Sequence, residues 1–261
     1  MAATTGERTL ISSLLPPGTT HVDGCFSAGK SDRHPTAIAL VAAFASSMLS
    51  DFSIRAVPKK HIRAPQFERL AFAADFCFHR PLLVRILRLT CLTAAYADLW
   101  ESVYDSAFRS DDWTFEGYAT QFRLGQVERV WNPATPLRRG LDRRQALVEI
   151  DALVALAVGV TADELTTIYR THFPVLAGYD RSQYIFDANG RLVPKRILSE
   201  WRRRQGNYGE FALDELTQAH PGSNVPYEYQ LPFRSLDREA DLRAAYSEFE
   251  RRFASRSDID A

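Results

Sequence analysis

Residues 141–159 read LDRRQALVEIDALVALAVG, and they set the character of the chain. Leu147, Ile150, Leu153, Val154 and Ala157 recur at three- and four-residue intervals, which is the apolar stripe of an α-helix. Arg143, Arg144 and Glu149 fall outside that stripe. Gly159 stands where a helix needs a residue at ease in the left-handed region. Thr161 and Glu164 follow with capping-box spacing, so a second helix starts at once and ends before Pro174.

Further toward the C-terminus, Asn189-Gly190 between apolar residues predicts a tight β-hairpin over 184–193. Residues 195–204 (KRILSEWRRR) predict a strongly basic helix, with Trp201 as its apolar anchor or as a surface for stacking. Ser235 is placed to cap a last helix running to about Phe253, with Leu236, Leu242, Tyr246 and Phe249 inward. Residues 255–261 read as a frayed tail.

Toward the N-terminus the pattern changes. Residues 8–15 (RTLISSLL) read as a strand stopped by Pro16-Pro17-Gly18, and 21–26 as a second strand. Pro35 is suited to a first helical position, and 36–53 predicts one helix with Leu40, Phe44, Met48 and Phe52 on its buried face. Residues 55–72, broken by Pro58 and Pro65, predict a basic loop. Residues 81–100 are helical again, with Leu83, Leu87 and Cys91 on one face and Arg80, Arg85 and Arg88 on another. Between 100 and 131, Tyr104, Phe108, Trp113, Phe115, Tyr118 and Phe122 pin an irregular segment. The resulting expectation is an α+β chain. A mixed small-sheet domain over 1–75 precedes a mainly α-helical region with a β-hairpin over 76–254.

Composition narrows the function. Lys+Arg and Asp+Glu both number 32, so any surface for a polyanion must come from local clustering. Cys25, Cys77 and Cys91 are far apart and make no CxxC, which points to buried thiols in a reducing compartment. The N-terminus lacks a basic stretch followed by an apolar one, and 36–49 is too short to span a bilayer, so a cytoplasmic protein without a membrane partner is expected. The six histidines show no HxxxH or HExxH, and no Walker loop, GxGxxG or GxSxG occurs. Glu149 and Asp151, two apart on a helix, point to different sides.

Two groups of residues resemble a known family. The first is Arg8-Thr9-Leu10-Ile11 with Leu15-Pro16-Pro17-Gly18, then 44–52 (FASSMLSDF) and 59–63 (KKHIR). It resembles the TaqI-like specificity domain of restriction–modification adenine methyltransferases. The second runs from 143–156 through 165–176 (LTTIYRTHFPVL), 187–194 (DANGRLVP) and 236–241 (LDREAD). It is similar to the C-terminal region of type IIG-like enzymes of that kind. The resemblance implies a specificity region over 1–75 and a helical extension over 76–254.

Such an enzyme needs a glycine-rich S-adenosylmethionine loop and an Asn/Asp-Pro-Pro-aromatic segment for the flipped adenine. Asn132-Pro133-Ala134-Thr135 lacks the second proline and the ring, so those motifs are absent from this chain. The resemblance therefore implies a non-catalytic DNA-recognition and scaffold part. Its partners would be double-stranded DNA and a separate catalytic domain or subunit, which would carry the S-adenosylmethionine. A fragment without function and an independent metal-dependent nuclease are the alternatives.

Arg55, Lys59, Lys60 and Arg63 are the candidates for neutralising phosphates, and His61 or Arg63 for reading base edges. Lys195, Arg196, Arg202, Arg203 and Arg204 form a second patch. Arg138, Arg139, Arg143 and Arg144 form a third, better suited to solvation or domain contact than to DNA. For each patch a solvated basic surface is the plain alternative.

Overall fold

The computed structural model describes residues 5–22, 24–29, 34–57, 61–73, 79–115, 123–204, 215–220 and 222–257. Its central element is α6, Gly140–Val158. Around it stand α1 (Pro35–Ala45), α2 (Met48–Ala56), α4 (His79–Thr90), α7 (Ala162–His172) and α10 (Arg238–Ser257). The last helix packs along α6, α1 lies on α4, and α4 on α6, while α7 touches both α2 and α10. Short α3 (Ala64–Phe67), α5 (Ala97–Val103), α8 (Pro174–Ser182) and α9 (Lys195–Arg203) complete the α-helices of the described residues.

Local rules explain the ends of these elements. Gly159 closes α6 at φ 74°. Thr161 and Glu164 form the capping box of α7. The first apolar stretch departs from one continuous helix, because α1 and α2 meet at a 63° bend. Two serines make the break. Ser46 Oγ returns to the Ala42 carbonyl at 2.8 Å, while Ser47 Oγ caps α2 by accepting from Ser50 N–H at 3.2 Å. Serine hydroxyls compete for backbone groups in this way, and the apolar spacing across the break conceals it. The cap of α10 is Asp237, two residues beyond Ser235; its carboxylate accepts from Glu239 N–H and Ala240 N–H, and the helix starts at Arg238.

The α+β class holds, but the strands lie elsewhere than expected. Residues 5–22 and 24–29 contain no strand among those described. Leu10 and Leu14 are buried and Ile11 is 84% exposed, so burial alternates from Leu10 to Leu14 without a partner strand among the described residues. The sheet of the described residues is one antiparallel pair, β1 (Thr217–Ala219) and β2 (Pro226–Glu228), with Gln218 opposite Tyr227. The Asn189-Gly190 turn closes on a single bridge between Phe186 and Leu192, and Phe186 bridges Arg234 as well.

A single apolar cluster runs from Leu14 through Phe44, Leu87, Trp100 and Leu153 to Phe253, so α1 and α2 share their core with the C-terminal helices. Two smaller clusters flank it. Leu10, Ala45 and Ile54 centre one, and Ile185, Val193, Ile197, Leu198, Leu216 and Phe233 make the other. Cys91 is buried and burial pushes its thiol up to about 12, whereas Cys25 is exposed and Cys77 lies outside the described residues. Tyr118 and Phe122 also lie outside them, and α10 carries the chain to Ser257 where fraying was expected from 255. Among the described residues no single helix is long and apolar enough to cross a membrane.

Candidate nucleic-acid interface

The basic residues singled out from the sequence divide into two populations. The first is internal. Arg55 belongs to α2 and is buried, so it is no loop residue. It donates to Asp51 at 3.2 Å, to the His172 carbonyl at 3.0 Å, and to the Gly6 and Glu7 carbonyls at 3.1 Å each. A guanidinium so engaged offers nothing to a phosphate. Arg144 points into the core toward Asp241 at 2.6 Å, with Asp180 3.7 Å away. Asp180 also receives Arg238 at 2.7 and 3.0 Å and the Tyr169 hydroxyl at 2.9 Å. Four helices, α6, α7, α8 and α10, meet through that carboxylate.

Arg85, expected on a polar face of α4, is fully buried between Glu149 at 2.6 Å and Asp111 at 2.7 Å. Burial works against its charge, but the two carboxylates more than offset this and hold its pKa above the ordinary arginine value. Arg88 donates to the carbonyls of Leu124 at 2.6 Å and Thr135 at 2.8 Å, with Arg123 at 3.2 Å. Lacking a carboxylate in contact, it is pushed down to about 10 by burial. Of the third patch, two members lie at the C-terminal end of α4: Arg143 reaches the Leu89 carbonyl at 2.9 Å and Arg138 that of Leu92 at 3.2 Å, while Arg139 pairs with Asp142 at 2.8 Å.

The second population is external. Nine residues long, α9 buries Ile197 and Leu198, and half-buried Trp201 packs its ring on Phe233. Lys195, Arg196, Ser199, Arg202 and Arg203 then share the opposite, exposed face at helical spacing. Arg196 donates to the Thr217 carbonyl at 2.6 Å and Arg203 pairs with Glu200 at 2.5 Å. Arg202 donates to the Ser182 carbonyl, which brings exposed Arg181 of α8 alongside. Sequence reasoning left Arg181 out, since its neighbourhood to α9 follows only from the fold.

Lys195 and Arg196 occupy the first turn, the positive end of the helix dipole, and no acid accompanies them there. Stability alone would favour acids at those positions. Their placement adds their charge to the helix N-terminus and concentrates positive potential at one end of α9.

His61 and Arg63 are exposed on a short segment that Ile62, Phe67 and Leu70 fasten to the Leu10 cluster. Lys59 and Lys60 lie outside the described residues. The two basic groups thus ride on different small apolar clusters, the first on that of Leu10 and α9 on that of Ile197.

The acidic candidates are engaged by arginines. Asp111 faces Arg85 and Arg252, and Asp112 faces Arg123 at 3.1 Å. Asp111, Asp112 and Arg123 border a surface recess of about 800 Å³ that also includes Arg109, Asn132 and Thr135. Glu149 and Asp151 do diverge: Glu149 serves Arg85, Thr114 and Gln145, while Asp151 accepts from Arg8 and Met48 N–H. Among the described residues no group of three or more His, Cys, Asp or Glu is placed to hold a metal ion. Comparison with family models, curated proteins and solved structures finds no match for this chain.

Proposed function

We propose that this chain is the DNA target-recognition and scaffold part of an adenine-specific DNA methyltransferase of a restriction–modification system, acting in the cytoplasm. Catalysis, with its S-adenosylmethionine, belongs in this reading to a separate domain or subunit. The resemblance of 143–176, 187–194 and 236–241 to type IIG-like enzymes motivates the family. The observation that carries the DNA contact is the outward face of α9, where Lys195, Arg196, Arg202 and Arg203 stand exposed on a buried apolar backing. His61 and Arg63 supply a second contact near the N-terminal segment.

Fluorescence anisotropy of a labelled duplex, titrated at several salt concentrations, tests this. The wild type should bind with an affinity that falls steeply with salt. Lys195→Ala/Arg196→Ala/Arg203→Ala should flatten the log–log slope by roughly 0.9 for each phosphate contact removed. Absence of duplex binding by the wild type, or an unchanged slope in the variant, overturns the assignment.

A further inference from the structure

The segment from Gly6 to Leu14 is held as a receptor holds a peptide. Its anchors are side chains of helices, not a neighbouring strand. The Asp51 carboxylate accepts from two successive backbone donors, Thr9 N–H at 3.0 Å and Leu10 N–H at 3.2 Å. Arg55 donates to two successive carbonyls, Gly6 and Glu7, at 3.1 Å each. One carboxylate and one guanidinium, themselves paired, thereby hold successive donors and successive carbonyls of a backbone that bends at Gly6, Glu7 and Thr9. Further along, Ser12 Oγ lies 2.7 Å from Ser46 Oγ, and the Tyr96 hydroxyl donates to the Leu14 carbonyl at 3.1 Å.

Backbone clamps tolerate many sequences, and selectivity must come from side chains. Three point inward. Arg8 donates to the wholly buried carboxylate of Asp151 at 3.3 Å, with its guanidinium 5.6 Å from the Phe173 ring centroid. Leu10 enters the cluster of Ala45 and Ile54, and Leu14 enters the main core. The pattern read is arginine followed by leucine two and six residues later. Between this segment and α1, the described residues of 15–34 form only turns and irregular chain. A connector of that kind sustains an effective concentration in the millimolar range, enough to keep a modest peptide ligand docked.

We propose that residues 6–14 are a tethered ligand in a peptide-binding groove of the helical core. They undock as a unit while the core stays folded, and the vacated groove accepts the same segment from a second copy of the chain. The proposal is independent of any DNA contact.

Two measurements on the full-length chain test it. In hydrogen exchange across a denaturant series, the amides of Thr9 and Leu10 should open together, at lower denaturant than those of 148–155 in α6. Opening of both regions in one global event overturns the proposal. In the second, the labelled peptide TGERTLISSLL (5–15) is titrated into full-length Arg8→Gln/Leu10→Ala. The peptide should bind this variant at least tenfold more tightly than the wild type, whose groove is filled. A peptide with glutamine in place of its arginine should bind the variant at least tenfold more weakly. Failure of a folded variant to bind the peptide overturns the proposal. If circular dichroism shows the double variant unfolded, Arg8→Gln alone is read by the same criteria.

Discussion

Helices α4 and α9 both carry arginines beside leucine and isoleucine, yet they use them in opposite ways. In α4 the run LLVRILRL (82–89) sinks every residue, and Arg85 and Arg88 become internal connectors. In α9 the run KRILSEWRR (195–203) sinks Ile197 and Leu198 and leaves its basic residues in solvent. The difference lies in what surrounds each charge. Leucine, valine or isoleucine stands on both sides of Arg85 and Arg88, so burial of the neighbours carries the guanidinium inward until carboxylates and carbonyls meet it. In α9 polar residues occupy a whole face, and the charges stay outside. Arginine content alone is therefore a poor guide to a nucleic-acid surface in this chain.

The sharpest way to break this contrast is to delete a buried connector. Arg85→Met should destabilise the protein by about 3–5 kcal/mol in urea unfolding, because Glu149 loses its cation inside the core. A loss below about 1 kcal/mol would mean that Arg85 behaves like a surface residue. Arg88→Leu should cost less, about 1–3 kcal/mol, since it leaves buried carbonyls without donors but strands no charge. A variant as stable as the wild type would show that those carbonyls find other partners.

Asp151 gives the pH dependence of the buried set. Burial raises its pKa above the ordinary carboxylate value, against the opposing influence of Arg8, the Met48 N–H and Arg238. A folded-state pKa above the unfolded one contributes stability at low pH, and this is lost as pH rises through the folded value. The stability of the wild type relative to Asp151→Asn should therefore decline from about pH 3 upward, starting below the unfolded value of about 3.9. Urea midpoints of the two proteins across pH 3–7 check this, and a difference that grows with pH would reverse the assignment. The smallest stability effect belongs to α9. Lys195→Ala/Arg196→Ala/Arg203→Ala should move the thermal midpoint by no more than about 1–2 °C, as substitutions on an exposed face do. A fall of 5 °C or more would make those residues part of the scaffold.

What the sequence disclosed depended on distance along the chain. Pro35, Gly159 and the Thr161–Glu164 box act within one turn, and they mark helix ends correctly. The 63° break at Ser46-Ser47 was local too, but the apolar period continues across it. Partners far apart were not legible. Glu149 lies 64 positions from Arg85, Asp241 lies 97 from Arg144, and Asp151 lies 143 from Arg8. Residues 8–15 show how a strand-like pattern can appear where no strand forms. The alternation of Leu10, Ile11 and Leu14 is real, yet Asp51 takes the backbone donors that a neighbouring strand would have taken. For the candidate interface, the exposed basic face of α9 was readable from composition and period, whereas Arg55 looked like a loop cation and proved internal.

Arginine-selective labelling with a glyoxal reagent, read by mass spectrometry on the native chain with and without duplex DNA, tests both sides of the contrast at once. The account predicts that Arg196, Arg202 and Arg203 react in the free protein and are protected by the duplex. Arg85, Arg88, Arg144 and Arg238 should stay unmodified until the protein unfolds. Labelling of the buried set in the native state, or α9 arginines equally reactive with and without duplex, would contradict it.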